Sequence, residues 1–245
     1  MTKTGIIHVH SIFSHDGQHT LEEIALFVKK LGYSFIGMTE HSDTFNEDKM
    51  FNFVKECMRL SDSKFLMIPG IEFTCENNLH IIGLGIEHFT DIKDPISVAQ
   101  FIRAQGGLAM VSHPVRYDYK IPSALETEIN GVEIWNTAYD GRFVPNDRSI
   151  VLWQTLRKHN KSLIAFGGQD LHHITGHFHV KITISCNELK QETILWALKE
   201  GNFLISNPYF RLHSARPTGW IKRMSIICAR RTYMQMKSIR DYLNR

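Results

Sequence analysis

The stretch Ile6-Ile7-His8-Val9-His10-Ser11-Ile12-Phe13-Ser14-His15-Asp16-Gly17 decides the reading of this chain. Its first part, apolar and β-branched over residues 5–9, predicts a buried strand. His8 and His10 are two apart, so on a strand both imidazoles point to one face. Asp16 follows in the polar loop that ends at Gly17. Two same-side imidazoles at a strand end, with a carboxylate from the next loop, can share a metal ion. An isolated His-x-His is more often a strand with buried, hydrogen-bonded histidines. The rest of the chain decides between the two.

A chain of 245 residues with 43% hydrophobic and 22% charged residues has the make-up of a soluble α/β protein with a sizeable core. Fourteen histidines are more than an average composition supplies and point towards metal or acid–base chemistry. Cys57, Cys75, Cys186 and Cys228 lack paired metal-ligand spacing and read as buried free thiols. The chain enters its first strand almost at once, which leaves no room for a signal peptide, and no apolar run is long enough to span a bilayer. A cytoplasmic protein is the expectation. From Arg211 onward there are nine Lys/Arg and one acid, Asp241, so the body is net acidic and the tail basic. An acidic, imidazole-rich body suits divalent cations; a basic tail suits an anionic surface such as lipid or nucleic acid.

Strand and helix patterns alternate down the chain. Thr20 reads as the N-cap of a helix over 21–31, with Glu22 and Glu23 in its first turn and Gly32 closing it. A strand at 35–39 runs into Glu40-His41-Ser42-Asp43. A helix near 47–60 and strands at 65–68, 71–74 and 79–84 follow, the last carrying His80. Asp94 opens the next helix, ahead of strands at 108–111, 131–136 and 162–166 and a helix near 147–159. Strands at 180–185 and 203–206 flank a helix over 191–199.

Repeated strand–helix units with fully buried strands predict an α/β fold on a mainly parallel sheet. His8, His10, His41, Glu72, His113, Asn136, Asp170 and His172 all fall at C-terminal strand ends. In a (β/α) barrel that rim carries the chemistry. An open doubly wound sheet gathers its ligands at one switch point instead. Contributions from so many strands favour the barrel.

The motifs His-Val-His, Asp16 after Ser-His, Thr-Glu-His, Gly-Ile-Glu-Phe, His-Ile-Ile-Gly, Ser-His-Pro and Gln-Asp-Leu-His occur in that order. In this the chain resembles the polymerase and histidinol phosphatase (PHP) family, in its histidinol-phosphatase-like branch, over about residues 6–206. The resemblance implies a distorted (β/α)7 barrel with a metal site at the C-terminal rim of the strands. It implies a metal-dependent phosphoesterase that hydrolyses a phosphomonoester, a small metabolite or a nucleotide or nucleic-acid end, with a metal-activated hydroxide. Carried over by position, His8, His10, Glu72 and Asp170 would hold one ion. Glu72 would bridge to a second, held also by His80 and His113, and Asp16, His41 and His172 would hold a third. Two to three divalent transition metals are implied, and nitrogen and carboxylate donors without thiolates suit Zn, Mn or Fe.

Departures from the pattern accompany the match. Glu40 stands where family members commonly carry Asp. His15 competes with Asp16 for its corner; the offset from His10 favours Asp16, while other members carry the acid one position earlier. Arg116, in His113-Pro114-Val115-Arg116-Tyr117-Asp118, matches a family arginine and reads as a phosphate clamp, since a guanidinium fork can bind two phosphate oxygens. A surface pair with Asp118 is the competing assignment, and Arg142 is the next candidate clamp. His172, on the third ion, could assist the leaving oxygen. His19, His88, His159, His173, His177, His179 and His213 read as ordinary polar residues. The expected division is a phosphoesterase barrel over 1–207 and a basic helical tail over 208–245. The tail either packs on the barrel or reads an anionic surface. Two other functions stay open: a metal amidohydrolase, and a non-catalytic module with a structural metal that acts through its tail.

Overall fold

The computed structural model describes residues 1–174 and 180–243, with side chains through residue 239. His177 and His179 lie outside the described residues. The elements in chain order are β1 (Thr2–Val9), α1 (Leu21–Lys30), β2 (Phe35–Met38), β3 (Glu40–His41), α2 (Glu47–Leu60), β4 (Leu66–Ile68), β5 (Gly70–Thr74) and β6 (His80–Leu84). Next come α3 (Pro95–Ala104), β7 (Leu108–Val111), β8 (Gly131–Asn136), α4 (Thr137–Asp140), α5 (Asp147–His159) and β9 (Ile164–Gly168). The chain finishes with β10 (Lys181–Ser185), α6 (Gln191–Lys199), β11 (Phe203–Ser206), β12 (Arg211–His213) and α7 (Trp220–Leu243).

Local chemistry sets the helix starts. Thr20 and Glu23 form a reciprocal capping box on α1, and Asn46, Asp94 and Asn146 cap α2, α3 and α5 with side-chain oxygens. The strands are covered on both faces, which is why β2, β7 and β8 are buried throughout and read as apolar runs without alternation.

Two six-stranded sheets result, in the orders β12-β11-β10-β1-β2-β4 and β3-β5-β6-β7-β8-β9. Their inner faces meet at Gly37, where a Cβ would stand 2.9 Å from both Ile7 Cγ2 and Leu84 Cδ1. The chain crosses between sheets at Thr39 and at Pro69. On the other side Leu171 forms a parallel bridge with Val9, and Gln169 N–H donates to Ile7 O at 3.0 Å. The expected mainly parallel sheet is corrected here. The pairs β1–β2, β2–β4, β3–β5, β7–β8 and β8–β9 are parallel. The pairs β5–β6, β6–β7, β1–β10, β10–β11 and β11–β12 are antiparallel. For β5 and β6 the physical reason is connection length: residues 75–79 form a short turn, too short for the crossover a parallel pair requires.

Beyond residue 207, β12 extends the first sheet and α7 packs against α5. Ile226 of α7 is fully buried, and Arg223 grips Asp147 through two bonds of 2.7 and 2.9 Å. Cys57, Cys75 and Cys186 are buried free thiols, but Cys228 is exposed, which corrects that reading. It sits on the outward face of α7, away from Ile226. Among the described residues no helix is long and apolar enough to cross a membrane.

Candidate metal centre

The strand ends deliver their polar residues to one place through unusual backbone geometry. β1 does not carry His8 and His10 on one face by simple alternation. Its register with β2 shifts between Ile7 and Val9, and His8 sits there at φ 65°. His113 at φ 24° and Asp170 at φ 51° are likewise left-handed, a conformation that L side chains adopt at a cost of order 1–3 kcal/mol. Three strand ends therefore carry strain where polar side chains converge. The surrounding hydrogen bonds hold it in place: Leu171 N–H donates to His8 O, and His10 N–H donates to Leu171 O at 2.9 Å.

Glu72, fully buried, is the hub, and it sits in the middle of β5 where the sequence placed it at a strand end. Its Oε1 accepts from His113 Nε2 at 2.8 Å, Ser112 Oγ at 2.9 Å and His80 Nδ1 at 3.0 Å. Its Oε2 faces His41 Nδ1 at 3.2 Å and His10 Nε2 at 3.7 Å. His8 Nε2 stands 3.5 Å from both Glu72 Oε1 and Asp170 Oδ1, and His10 Nε2 is 3.5 Å from Asp170 Oδ1. Within three groups the donor atoms all lie within 4.8 Å of one another: His8, His10, Glu72 and Asp170; Glu72, His80 and His113; and His10, His41 and His172. Asp16 Oδ2 borders the third group, 3.1 Å from His172 Nε2 and 3.4 Å from His41 Nε2.

The donor set fits divalent cations. The Nε2 atoms of His8 and His10 and the Oε2 of Glu72 are buried and lack a hydrogen-bond partner among the described residues. Such groups are costly to bury unless something else satisfies them. Separations near 3.5 Å are long for a hydrogen bond. They match atoms that share one ion at roughly 2.1 Å each.

A second layer holds these side chains in register, and part of it was missed in the sequence. Glu133, buried in the middle of β8, accepts from His8 Nδ1 at 3.0 Å on one oxygen. The other oxygen accepts from His113 N–H at 2.8 Å and Asn136 Nδ2 at 2.9 Å. The bond to Nδ1 fixes the ring so that His8 Nε2 faces Glu72 and Asp170. The overlooked signal was a lone carboxylate inside an apolar strand, Gly131-Val132-Glu133-Ile134-Trp135. Gly168 makes room for it, because a Cβ there would collide with Glu133 Oε1 and His8 Cβ. Glu40 does the same work for the loop after β1. It accepts from Ser11 N–H, Ser11 Oγ at 2.7 Å and Ser14 Oγ at 2.6 Å, and Ser14 Oγ in turn accepts from His41 N–H at 2.9 Å.

The electrostatics follow from this packing. Burial opposes a charge on His8, but the carboxylates of Glu133, Asp170 and Glu72 outweigh it and raise its pKa well above the ordinary value. Burial pushes His10 down to about 4, against Asp170 and Glu72. Burial also disfavours the charge on Glu72, yet the charge on His8 and the adjacent His113 and His41 rings hold that carboxyl well below the usual range. Asp170 is likewise lowered, because the charge on His8 and the adjacent His10 ring overcome its desolvation. Glu40 goes the other way, since burial lifts it beyond what its serine donors restore.

All nine residues singled out as ligands thus lie in one cluster. His15 is exposed on its outer side, with Nδ1 3.5 Å from Asp43, while Asp16 is the neighbour that turns towards His41 and His172. Arg116 is exposed on the turn after His113, with Nη1 3.5 Å from the Tyr139 hydroxyl, and the Tyr139 ring lies 4.8 Å from the His113 ring. Asp118 pairs with Lys120 and Arg148 instead of Arg116. Arg142 lies over the Phe143 ring. His19 and His173 contact each other at 3.1 Å, and His88 and His159 pair with Glu47 and Glu126.

Comparison with known proteins agrees with this arrangement. The family model of the PHP domain matches residues 7–205. The chain belongs to the PHP domain family. Several solved structures share the PHP fold at low identity. One is a two-domain protein from Bacteroides vulgatus ATCC 8482 that contains a PHP-like metal-dependent phosphoesterase (TM-score 0.63, 16% identity, 84% of this chain and 65% of that one). The chain thus spans under two thirds of that protein. PsfC from Pseudomonas syringae PB-5123 matches over 96% of this chain and 98% of its own (TM-score 0.59, 15% identity). The lesion-specific endonuclease PfuEndoQ from Pyrococcus furiosus matches over 84% and 58% (TM-score 0.54, 16% identity). None of the curated proteins matches the chain in sequence.

Proposed function

We propose that this PHP chain is a metal-dependent phosphomonoesterase, with the two sheets forming the halves of a distorted barrel and the site at its rim. The observation that carries the reading is the Glu72 hub, with buried, unpartnered imidazole nitrogens of His8 and His10 facing Glu72 and Asp170. His8, His10, Glu72 and Asp170 would hold one divalent ion, Glu72, His80 and His113 a second, and Asp16, His41 and His172 a third. When bound, Zn, Mn or Fe would supply Lewis acidity and a water more acidic than bulk.

The chain's own residues do the rest. Glu133 fixes the ring of His8, and Ser112 and Ser14 fix Glu72 and the His41 backbone. Arg116 stands free beside the His113 corner, where its fork can take phosphoryl oxygens. In a centre that holds only the first two ions, His172, partly exposed and close to Asp16, would be the residue to pass a proton to the leaving oxygen. The histidinol-phosphatase-like branch and a compact phosphorylated substrate belong to this proposal. A nucleic-acid end is the second reading, favoured by the likeness to an endonuclease.

The purified protein is expected to carry two to three transition-metal ions per chain and to lose phosphomonoesterase activity to a chelator, with recovery on adding Mn or Zn back. A folded, active protein that elemental analysis finds free of metal would sink the reading. An active metalloprotein that cleaves amides and spares phosphoesters would favour the amidohydrolase instead.

Glu133→Gln tests the supporting layer. Glutamine keeps the side chain's size but offers an amide where His8 and the His113 backbone both need acceptors. Metal affinity should fall by about 10–100-fold, the scale of losing an orienting carboxylate. Equilibrium dialysis measures it, and an unchanged affinity would make Glu133 a packing residue only.

A further inference from the structure

A cavity of about 1240 Å3 opens beside the metal centre and is walled on its far side by α7. Asp170 and His172 line it on the side of the metal centre, and Tyr139, Phe143, Tyr209 and Tyr233 of α7 give it an aromatic lining. The helix is pinned as that wall at several points. Ile226 is buried, Arg223 grips Asp147, and Arg230 Nη1 donates to Asp140 O at 2.9 Å. The approach of Tyr233 is close: a Cβ at Gly141 would stand 2.9 Å from its hydroxyl, and its ring meets that of Phe143 at 5.7 Å and 66°. Gly141 has φ 87°, so the rim loop turns where only glycine lets it meet α7.

We propose that α7 forms the specificity wall of the substrate pocket, and that Tyr233 and its aromatic neighbours select a phosphomonoester whose alcohol part carries a planar ring. The proposal rests on the phosphomonoesterase reading for its floor and adds the leaving group. An aromatic lining binds a ring by its faces and edges, a contact that an aliphatic alcohol cannot match. A phosphoryl group held at Asp170 and His172 would project its alcohol part into this space. The basic residues of the tail that face this side, Arg230 towards Asp140 and Lys237 along the cavity, then serve the pocket instead of a distant anionic surface.

The test compares phenyl phosphate with glycerol 2-phosphate in the metal-loaded protein. The wild type should favour phenyl phosphate in kcat/KM. In Tyr233→Leu, which keeps an apolar side chain but removes the ring, the ratio should fall by at least ~10-fold, the scale of one ring–ring contact. Tyr233→Phe, which keeps the ring, should restore it. Calorimetry with phenylphosphonate and methylphosphonate reads the same preference without turnover. If the wild type hydrolyses neither ester yet binds phenylphosphonate more tightly in a Tyr233-dependent way, the phosphomonoesterase reading fails and the wall stands. If the ratio and the binding preference are the same in wild type and Tyr233→Leu, the wall is not a selector. Equal losses on both ligands in Tyr233→Leu, with no rescue by Tyr233→Phe, would show a structural role and overturn the proposal.

Discussion

Glu72→Gln should abolish measurable turnover of a phosphomonoester, a loss of at least ~10³-fold, and empty most of the metal from the protein. The side chain keeps its shape, so the effect isolates the charge. Glu72 faces five imidazoles, those of His8, His10, His41, His80 and His113, at 2.8 to 3.7 Å. It is the one carboxylate common to two of the three donor groups. An amide would present N–H groups to nitrogens that need an acceptor or a cation. Truncating a shared partner in a buried network leaves several groups unsatisfied at once, which is why the expected loss exceeds that for Glu133→Gln. Elemental analysis and circular dichroism make the check. A Glu72→Gln protein that is folded, holds wild-type metal and turns over at wild-type rate would remove the hub from the mechanism.

Arg116→Met should leave metal content unchanged and lower kcat/KM by roughly 10²-fold or more, the scale of losing one preorganised charge-stabilising contact. Methionine keeps the apolar stem and removes the charged fork. Among the described residues Arg116 makes no ion pair, and its one polar contact, to Tyr139, is a long 3.5 Å. It is therefore free to meet an anion near His113, while Asp118 is taken by Lys120 and Arg148. Inorganic phosphate should also inhibit the variant less. Wild-type kinetics and wild-type phosphate inhibition in Arg116→Met would make it a surface residue, and Arg142 would be tested next.

Most strands and helices, and the residues that form the cluster, were legible because their signals are local. Thr20 with Glu23 marks the start of α1, and buried strands such as β2 and β7 are short apolar runs. A histidine or carboxylate straight after such a run lies at a strand end whatever the fold. The order of those motifs then pointed to the PHP family, which the match over residues 7–205 bears out.

Partners far apart in sequence were not legible. Glu133 meets His8 across 125 positions, and nothing near either residue encodes that bond. The left-handed turn at His8, which replaces simple strand alternation, exists because β1 is pinned between β2 and Leu171. Glu40 acquires its role only when β2 and β3 bring it under the loop of Ser11 and Ser14. The antiparallel pairing of β6 with β7, across the long connection through α3, and the seat of α7 beside the cavity were likewise settled by packing. Hydrophobic periodicity reports how much of an element is buried, and by itself it does not report which neighbour buries it. The chemistry of the residues was written in the sequence, but only the tertiary structure decided which atoms face one another.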